Sequence, residues 1–128
     1  MEAEKLYYTE THEWLALEGD SAVIGISNYA AGEINDIVFI DLPQPGKTIR
    51  QGNPFGVIES VKAVFDLNAP ASGEIIAVNQ PVTEKPELVS QSPLKDGWLI
   101  KITVKQPEEI KNLMDYQAYQ AFLKKEKH

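Results

Sequence analysis

The chain has 128 residues, of which 43% are hydrophobic and 24% charged, and its 19 acidic and 12 basic side chains give a formal net charge of −7. This length provides one hydrophobic core and is too short for a catalytic domain joined to a cofactor domain. The acidic balance argues against nucleic acid as a partner, because phosphate binding relies on clustered Lys and Arg, and basic residues cluster only at Lys124, Lys125 and Lys127.

The sequence contains few residues that could support sulfur or metal chemistry. Cysteine is absent, which excludes disulfides, thiolate metal sites and a cysteine nucleophile. The two histidines, His12 and His128, are too far apart in sequence to predict a metal site, and we expect His12 to be a packed or hydrogen-bonded loop residue. The first residues lack the features of a signal or transit peptide, and no apolar run approaches the length of a membrane span. We therefore expect a cytoplasmic monomer that does not contact a membrane.

Short apolar or alternating segments separated by turn residues predict a mainly β protein. Residues 13–26 are typical of two strands joined by a tight turn at Gly19 and Asp20, which tolerate the left-handed backbone of a hairpin. Residues 37–40 form a β-branched and aromatic run that ends at prolines and a glycine. Residues 55–58, 74–78 and 98–104 repeat this strand pattern.

Three stretches are predicted to be helical. A short turn is expected over residues 28–33 after a Ser27 cap, and another over residues 87–90. A longer helix is predicted over residues 107–125, because Pro107 and two glutamates suit a helix N-terminus. Its apolar side chains fall on one stripe that we expect to pack on the sheet: Ile110, Leu113, Met114, Ala118, Ala121 and Phe122.

An internal sequence repeat at an offset of about 41 residues indicates a duplicated architecture. Ala31-Gly32-Glu33-Ile34 recurs as Ser72-Gly73-Glu74-Ile75, and Gly56-Val57-Ile58 falls on Gly97-Trp98-Leu99. Two β halves, residues 22–62 and 63–103, would pack face to face as a sandwich or flattened barrel. Chance similarity between two β-rich segments remains the alternative.

The junction between these halves places Lys62 in a predicted exposed turn between two strands. The chain has eleven lysines, and a lysine in a turn is usually a solvated surface charge. An enzyme that must acylate one lysine among eleven needs a rigid, protruding display, which a hairpin between two halves supplies. Lys62 is therefore a candidate modification site.

The sequence around Lys62 resembles the lipoyl-lysine segment of glycine cleavage H proteins. The resemblance rests on the segments Gly56-Val57-Ile58-Glu59-Ser60-Val61-Lys62-Ala63 and Ala69-Pro70-Ala71-Ser72-Gly73-Glu74. Further blocks that look like this family follow in the family's order and cover nearly the whole chain: His12-Glu13-Trp14, Ala22-Val23-Ile24-Gly25-Ile26-Ser27, Asp36-Ile37-Val38-Phe39 and Gly97-Trp98-Leu99-Ile100-Lys101-Ile102.

The resemblance implies a single lipoyl-carrier domain over residues 1–128, a lipoyl or hammerhead β-sandwich of two quasi-symmetric halves with short helices and a C-terminal helix. It implies (R)-lipoate in amide linkage to Lys62, with Glu59 and Gly73 helping a lipoate ligase or lipoyltransferase to recognise the hairpin. The chain would then be a non-catalytic shuttle. It would carry an aminomethyl group from a pyridoxal-phosphate glycine decarboxylase, the P protein, to a folate-dependent aminomethyltransferase, the T protein. Dihydrolipoyl dehydrogenase, the L protein, would reoxidise the arm.

The loaded arm would end in a cationic amine, so we expect a shallow cleft with acidic residues to hold it. Glu13 and Asp66 are the predicted holders, and Ser27 is a possible hydrogen-bond partner. Ile26 and Ile34 are predicted apolar contacts, although ordinary core positions are the simpler interpretation for these two. No metal ligands and no catalytic residues are predicted.

The sequence departs from the usual family pattern at three places. Asn35 and Ser90 stand where Gly and Asn are common, and Phe65 replaces a small polar residue before Asp66. An apolar ring at Phe65, close to the lysine turn, leaves the identity of the partner enzymes open. The alternative function is an H-like lipoate carrier for another assembly, such as lipoate-dependent sulfur oxidation, or a lipoyl relay. A biotin carrier is disfavoured because Lys62 lies between Val61 and Ala63 and not between methionines. An enzyme that forms a Schiff base through Lys62 is disfavoured, because it would need a desolvated lysine and the predicted turn is exposed. A binding module in which Lys62 carries no modification is the remaining alternative.

Overall fold

The computed structural model describes residues 1–34 and 36–126. Asn35, Lys127 and His128, all considered above, lie outside this described part of the chain. The described residues form nine β-strands: β1 (Tyr7–Tyr8), β2 (Glu13–Glu18), β3 (Ser21–Ile26), β4 (Ile37–Asp41), β5 (Thr48–Ile49), β6 (Pro54–Ser60), β7 (Val64–Asn68), β8 (Gly73–Val78) and β9 (Ile100–Thr103).

The strands build two antiparallel sheets. The first has six strands in the order β1-β2-β3-β9-β8-β5, and the second has three in the order β4-β6-β7. One apolar core lies between them, with Leu15 and Ile24 contributed by the first sheet and Ile40 and Ile58 by the second. Both sheets keep open edges, so the described strands form a two-layer sandwich and no closed barrel. The mainly β prediction is confirmed.

The predicted hairpins follow from local sequence. Strands β2 and β3 pair from Glu13↔Ile26 to Glu18↔Ser21. Their turn requires a left-handed residue, and Gly19 supplies it with φ of 62°. The structure also places Lys62 in the tight connection between β6 and β7, as the sequence predicts.

In the part of the chain that the structure describes, four α-helices accompany the sheets: α1 (Asn28–Glu33), α2 (Gln80–Glu84), α3 (Glu87–Gln91) and α4 (Tyr116–Glu126). The prediction of α1 is confirmed together with its cap, because the Ser27 side chain accepts a hydrogen bond from the Ala30 backbone N–H. Helix α3 also forms where expected, whereas α2 was not predicted. Within residues 1–34 and 36–126, no helix combines the length and apolar character that a membrane crossing requires.

The prediction of one helix over residues 107–125 is wrong. The chain forms a 3₁₀ turn over Pro107–Asn112, continues extended through Leu113, and only then enters α4. The predicted stripe is also wrong in its second half, because Ala118 and Ala121 are exposed while Tyr119 and Leu123 are buried. These two side chains join a second apolar cluster on the far side of the six-stranded sheet: Leu6, Tyr8, Trp14 and Val23.

The internal sequence repeat does not correspond to equal secondary structure at its clearest match. Gly32 lies in helix α1 and is exposed, whereas Gly73 is the buried first residue of strand β8. A β-carbon on Gly32 would meet open space, but one on Gly73 would overlap the backbone carbonyl of Thr103 on β9. Gly73 therefore permits close approach of two strands, a role that Gly32 does not share.

Candidate functional site

Lys62 stands at the tip of the β6–β7 hairpin. The Ser60 backbone N–H donates to the Ala63 carbonyl at 2.8 Å, and the Ala63 N–H donates to Ser60 Oγ at 3.1 Å, which closes a two-residue connection. The Val61 N–H donates to the Asp36 carbonyl at 3.2 Å and so ties the tip to the segment before β4. Lys62 is exposed, and within residues 1–34 and 36–126 no hydrogen bond or ion pair engages its ammonium group. The tip is thus braced while its lysine is available.

The two residues expected to aid recognition of the hairpin occupy different places. Glu59 lies on β6, half-buried, with Phe39 of β4 on one side and Val64 of β7 on the other. Gly73 lies on β8 in the other sheet, where it is buried against Thr103. Glu59 therefore belongs to the surface around Lys62, whereas the geometry of Gly73 fits a structural role.

A cleft of about 490 Å³ opens beside this hairpin, between the two sheets and the ends of α1 and α4. Its apolar wall is formed by six side chains: Ile26, Ile34, Ile58, Val64, Phe65 and Leu67. Five carboxylates also line it: Glu10, Glu13, Glu33, Asp66 and Glu126. Val64 is two residues from Lys62, which corresponds to about 7 Å of extended chain. A long arm on Lys62 could therefore enter a cleft that suits an apolar chain with a cationic end.

Four of the five predicted cleft residues come together here. Glu13, Asp66, Ile26 and Ile34 all line the cleft. Ile26 and Ile34 also belong to the main core, so the two interpretations of these isoleucines are compatible. Asp66 is exposed on β7.

Glu13 is not the solvated charge that a surface acid would be. Only 1% of the residue is exposed, and its carboxylate accepts hydrogen bonds from Thr9 Oγ1 and Thr11 Oγ1, both at 2.5 Å, and from the Asn68 backbone N–H at 2.9 Å. Burial raises the pKa of the Glu13 carboxyl, and these hydrogen bonds oppose the rise. A carboxylate has about four acceptor positions, so three protein donors leave capacity for one more.

Ser27 is placed differently from the prediction. It does not line the cleft, because its hydroxyl is buried, caps α1 and lies 2.7 Å from the Tyr119 hydroxyl. The simpler interpretation of Ser27, a helix cap, is the one that the structure supports.

The sequence did not reveal the contact between the cleft rim and the C-terminal helix. His12 Nδ1 lies 2.8 Å from the Tyr119 hydroxyl, and His12 Nε2 lies 3.2 Å from Glu126 Oε2. Burial raises the pKa of Tyr119 to about 12, so its hydroxyl stays protonated at neutral pH. His12 is hydrogen-bonded, as expected of this residue. Among the described residues, no group of three His, Cys, Asp or Glu side chains could hold a metal ion.

These features define a class of protein: a small two-sheet β domain that displays one lysine on a hairpin beside an apolar cleft with an acidic rim. The sequence comparisons specify the class further, because residues 6–126 match the sequence model described as "Glycine cleavage H-protein". The chain belongs to the glycine cleavage H-protein family.

Individual relatives agree with this assignment. A glycine cleavage system H protein from Magnetococcus marinus is 46% identical over 120 residues, covering 94% of this chain and 86% of its own. One from a Synechococcus strain is 50% identical over 114 residues, covering 89% and 88%. The crystal structure of a glycine cleavage system H protein from Mycobacterium marinum superposes with a TM-score of 0.81 at 32% identity, covering 92% of this chain and 95% of its own.

Proposed function

We propose that this protein is the lipoyl carrier of a glycine cleavage system, with lipoate in amide linkage to Lys62. The observation that carries the proposal is the display, at the tip of a braced hairpin in a chain of the H-protein family, of an exposed lysine that no other described residue pairs with. The bound group would supply a disulfide that accepts an aminomethyl group from glycine. The named relatives favour glycine cleavage over lipoate-dependent sulfur oxidation.

The partners follow from this role. A glycine decarboxylase would load the arm, a folate-dependent aminomethyltransferase would unload it, and dihydrolipoyl dehydrogenase would reoxidise it. The chain itself would act by display, because tethering a reactive group on an exposed hairpin raises its effective concentration at each partner in turn. Such a carrier needs no catalytic group of its own.

The cleft would shelter the loaded arm. Its isoleucines and Phe65 offer apolar contacts to the chain of the arm, while Asp66 and the free acceptor position of Glu13 are suited to a cationic amine. Excluding water from such a pair strengthens the attraction, since an exposed pair contributes little. Ser27 has no part in this proposal, because its hydroxyl is engaged with Tyr119.

The site of attachment can be tested with lipoate ligase, ATP and lipoate. The ligase activates the lipoate carboxyl as an acyl-adenylate, and the deprotonated Nζ displaces AMP as the amide forms. We expect one adduct per chain in the intact mass, mapped to Lys62 by peptide mass spectrometry. The Lys62→Arg variant should gain no adduct. Lys47→Arg is the matched control, since Lys47 is also an exposed turn lysine, and it should be acylated like wild type.

Acylation of Lys62→Arg to the wild-type extent would show that the attachment site lies elsewhere. If the wild-type chain gains no adduct, the protein is an unmodified binding module under these conditions and the proposal is wrong.

A further inference from the structure

Thr9 makes three hydrogen bonds with Glu13. The Thr9 backbone N–H donates to the Glu13 carbonyl at 3.0 Å, and the Glu13 backbone N–H donates to Thr9 Oγ1, also at 3.0 Å. The Thr9 hydroxyl in turn donates to Glu13 Oε1 at 2.5 Å. Thr9 therefore binds both the main chain and the carboxylate of a residue that the proposed function places beside the amine of the arm.

Thr9 reaches Glu13 from outside the cleft. Its half-buried side chain lines a neighbouring cavity of about 270 Å³, together with Gln51 and Gly52, and is not among the residues that line the cleft. Thr11, the other hydroxyl donor to Glu13 Oε1, is exposed and does line the cleft. Thr9 is thus the more sheltered of the two donors, and an arm in the cleft would contact Glu13 but not Thr9.

The hydroxyl protons identify the oxygen of Glu13 that stays available. Each threonine hydroxyl has one proton and an ionised carboxylate only accepts, so Thr9 and Thr11 both donate to Oε1. No proton is then left for the 3.2 Å contact between the two hydroxyl oxygens. Each carboxylate oxygen has about two acceptor positions, so Oε1 is fully occupied. Among the described donors, only the Asn68 N–H reaches Oε2, so the remaining acceptor position is on Oε2.

The charges around Glu13 make these hydrogen bonds important for its ionised form. The titratable groups near it are Glu10 and His12 before β2, Glu33 of α1, Asp66 of β7, and Tyr119 and Glu126 of α4. None of the described residues that line the cleft is Lys or Arg. Burial raises the pKa of Glu13, and the hydrogen bonds from Thr11, Thr9 and the Asn68 backbone lower it. Neutral donors therefore stabilise this negative charge where the cleft offers no lysine or arginine.

We propose that Thr9 is a positioning residue for the loaded arm, which fixes the Glu13 carboxylate so that Oε2 accepts the cationic amine. This inference rests on the proposed function. The terminal torsion of a glutamate side chain is broad, so a carboxylate without fixed donors turns easily. Thr9 ties the carboxylate plane to the main chain at the start of β2. Without its hydroxyl, Oε1 would keep one donor, on the exposed Thr11, and the Glu13 N–H would lose its acceptor.

The first test is the titration of Glu13 in the unmodified chain, followed by carbon-13 NMR of its carboxyl carbon. Thr9→Val removes the hydroxyl at nearly constant volume, so Glu13 should titrate at a higher pH than in wild type, because its charged form loses a donor. Thr9→Ser keeps the hydroxyl and should titrate like wild type. Thr83→Val is the matched control, since Thr83 is also half-buried and its hydroxyl donates to the Gln80 carbonyl at 2.7 Å. Thermal unfolding checks that each variant is folded, and Thr9→Ala replaces Thr9→Val if the latter does not fold.

Hydrolysis of the loaded arm is the second test. The S–CH₂–NH₃⁺ group takes up water, which returns the thiol and releases formaldehyde and ammonium. At neutral pH we expect loaded, lipoylated Thr9→Val to release them about three- to tenfold faster than wild type, part of the effect of losing a hydrogen bond to a charged group. The difference should widen as the pH falls, until Glu13 of wild type is itself protonated. Thr9→Ser and Thr83→Val should follow the wild-type profile.

These measurements separate the role of Thr9 from the proposed function. Wild-type titration of Glu13 in Thr9→Val, or a wild-type release profile despite an altered titration, would overturn the inference. Failure of Thr9→Ser to restore both would also overturn it, because the hydroxyl would then not be the cause. Slow release from Glu13→Gln, equal to wild type, would show that Glu13 does not hold the amine, while attachment at Lys62 would stand. Failure of wild type to be acylated at Lys62 would instead refute the proposed function.

Discussion

Glu13 lies at the start of β2, and its carboxylate accepts a hydrogen bond from the Asn68 backbone N–H on β7. The residue thereby joins the two sheets at the floor of the cleft. Removing a carboxylate from water penalises its charged form, and this burial is the largest influence on the raised Glu13 pKa. Keeping a negative charge on Glu13, the residue that would bind the cationic end of the arm, therefore costs the folded state free energy.

This cost predicts a pH-dependent stability difference. Because the folded-state pKa of Glu13 is raised above the usual 4.5, the folded chain keeps this proton where the unfolded chain has released it. The resulting stabilisation is fully present below the unfolded-state pKa and is lost as pH rises through the folded-state pKa. We expect the free energy of unfolding of Glu13→Gln, relative to wild type, to increase as the pH rises above the usual carboxyl pKa of 4.5. Urea titrations of both proteins at several pH values measure this difference.

Other titrating groups are common to both proteins, so the difference isolates Glu13. A relative stability that is constant across the range, or that falls with rising pH, would contradict the raised pKa.

For individual residues, the sequence indicated which side chains lie together in the cleft but not which hydrogen bonds position them. The His12-Glu13-Trp14 block and Asp66 led to the cleft through the family resemblance. The burial of Glu13 could not be predicted, because its partner Asn68 is 55 positions away. For Ser27 the local cap signal was sufficient, and the distant Tyr119 hydroxyl accounts for its absence from the cleft.

Helix α4 is the element whose prediction failed, and its contacts explain the failure. Met114 pairs with Tyr8 through two backbone hydrogen bonds of 2.8 Å, so the chain must be extended there and cannot continue a helix from Pro107. This competing pairing is invisible in the local sequence. One local signal was available, since Asp115 Oδ1 accepts from the Ala118 N–H at 2.8 Å, in the manner of a helix cap.

The corrected burial of α4 predicts effects of very different size for two substitutions on the same helix. Leu123 is 8% exposed in the second apolar cluster, so Leu123→Ala should lower the free energy of unfolding by about 2–4 kcal/mol through lost burial and a residual cavity. Ala121 is exposed, so Ala121→Ser should change it by less than about 0.5 kcal/mol. Urea unfolding of both variants measures the two values. A larger loss for Ala121→Ser than for Leu123→Ala would instead support the stripe that the sequence predicted.

At the scale of the whole molecule, the cleft depends on parts that no single segment contains. The first sheet contributes Glu13 and Ile26, the second contributes β7, and α4 closes the rim through Glu126 and its 3.2 Å contact with His12. The alternating segments predicted most strands, yet the order β1-β2-β3-β9-β8-β5 follows from pairings across the whole chain. A ligand seated in this cleft would contact both sheets and so stabilise their association.

This geometry gives a prediction for the loaded arm that does not depend on catalytic rates. If the cleft holds the cationic arm, loading adds a contact that exists only in the folded state and raises the unfolding temperature. We expect chemically loaded, lipoylated protein to unfold about 2–5 °C above the lipoylated but unloaded form, which in a domain of this size corresponds to about 0.5–1.5 kcal/mol, the net contribution of one hydrogen bond. Differential scanning fluorimetry at neutral pH measures the shift.

The control variants locate the contact. Asp66→Asn should lose part of the loading-dependent shift, because Asp66 lines the cleft. Asp41→Asn should keep it, because Asp41 is also an exposed acid but lies on β4 outside the cleft lining. The loss should be partial, since Asp66 is exposed and water weakens its attraction for the amine, whereas the buried Glu13 keeps its acceptor position in both variants. Equal unfolding temperatures for loaded and unloaded wild type would show that the arm does not rest in the cleft. Equal losses in Asp66→Asn and Asp41→Asn would show that the shift depends on net charge and not on a contact in the cleft.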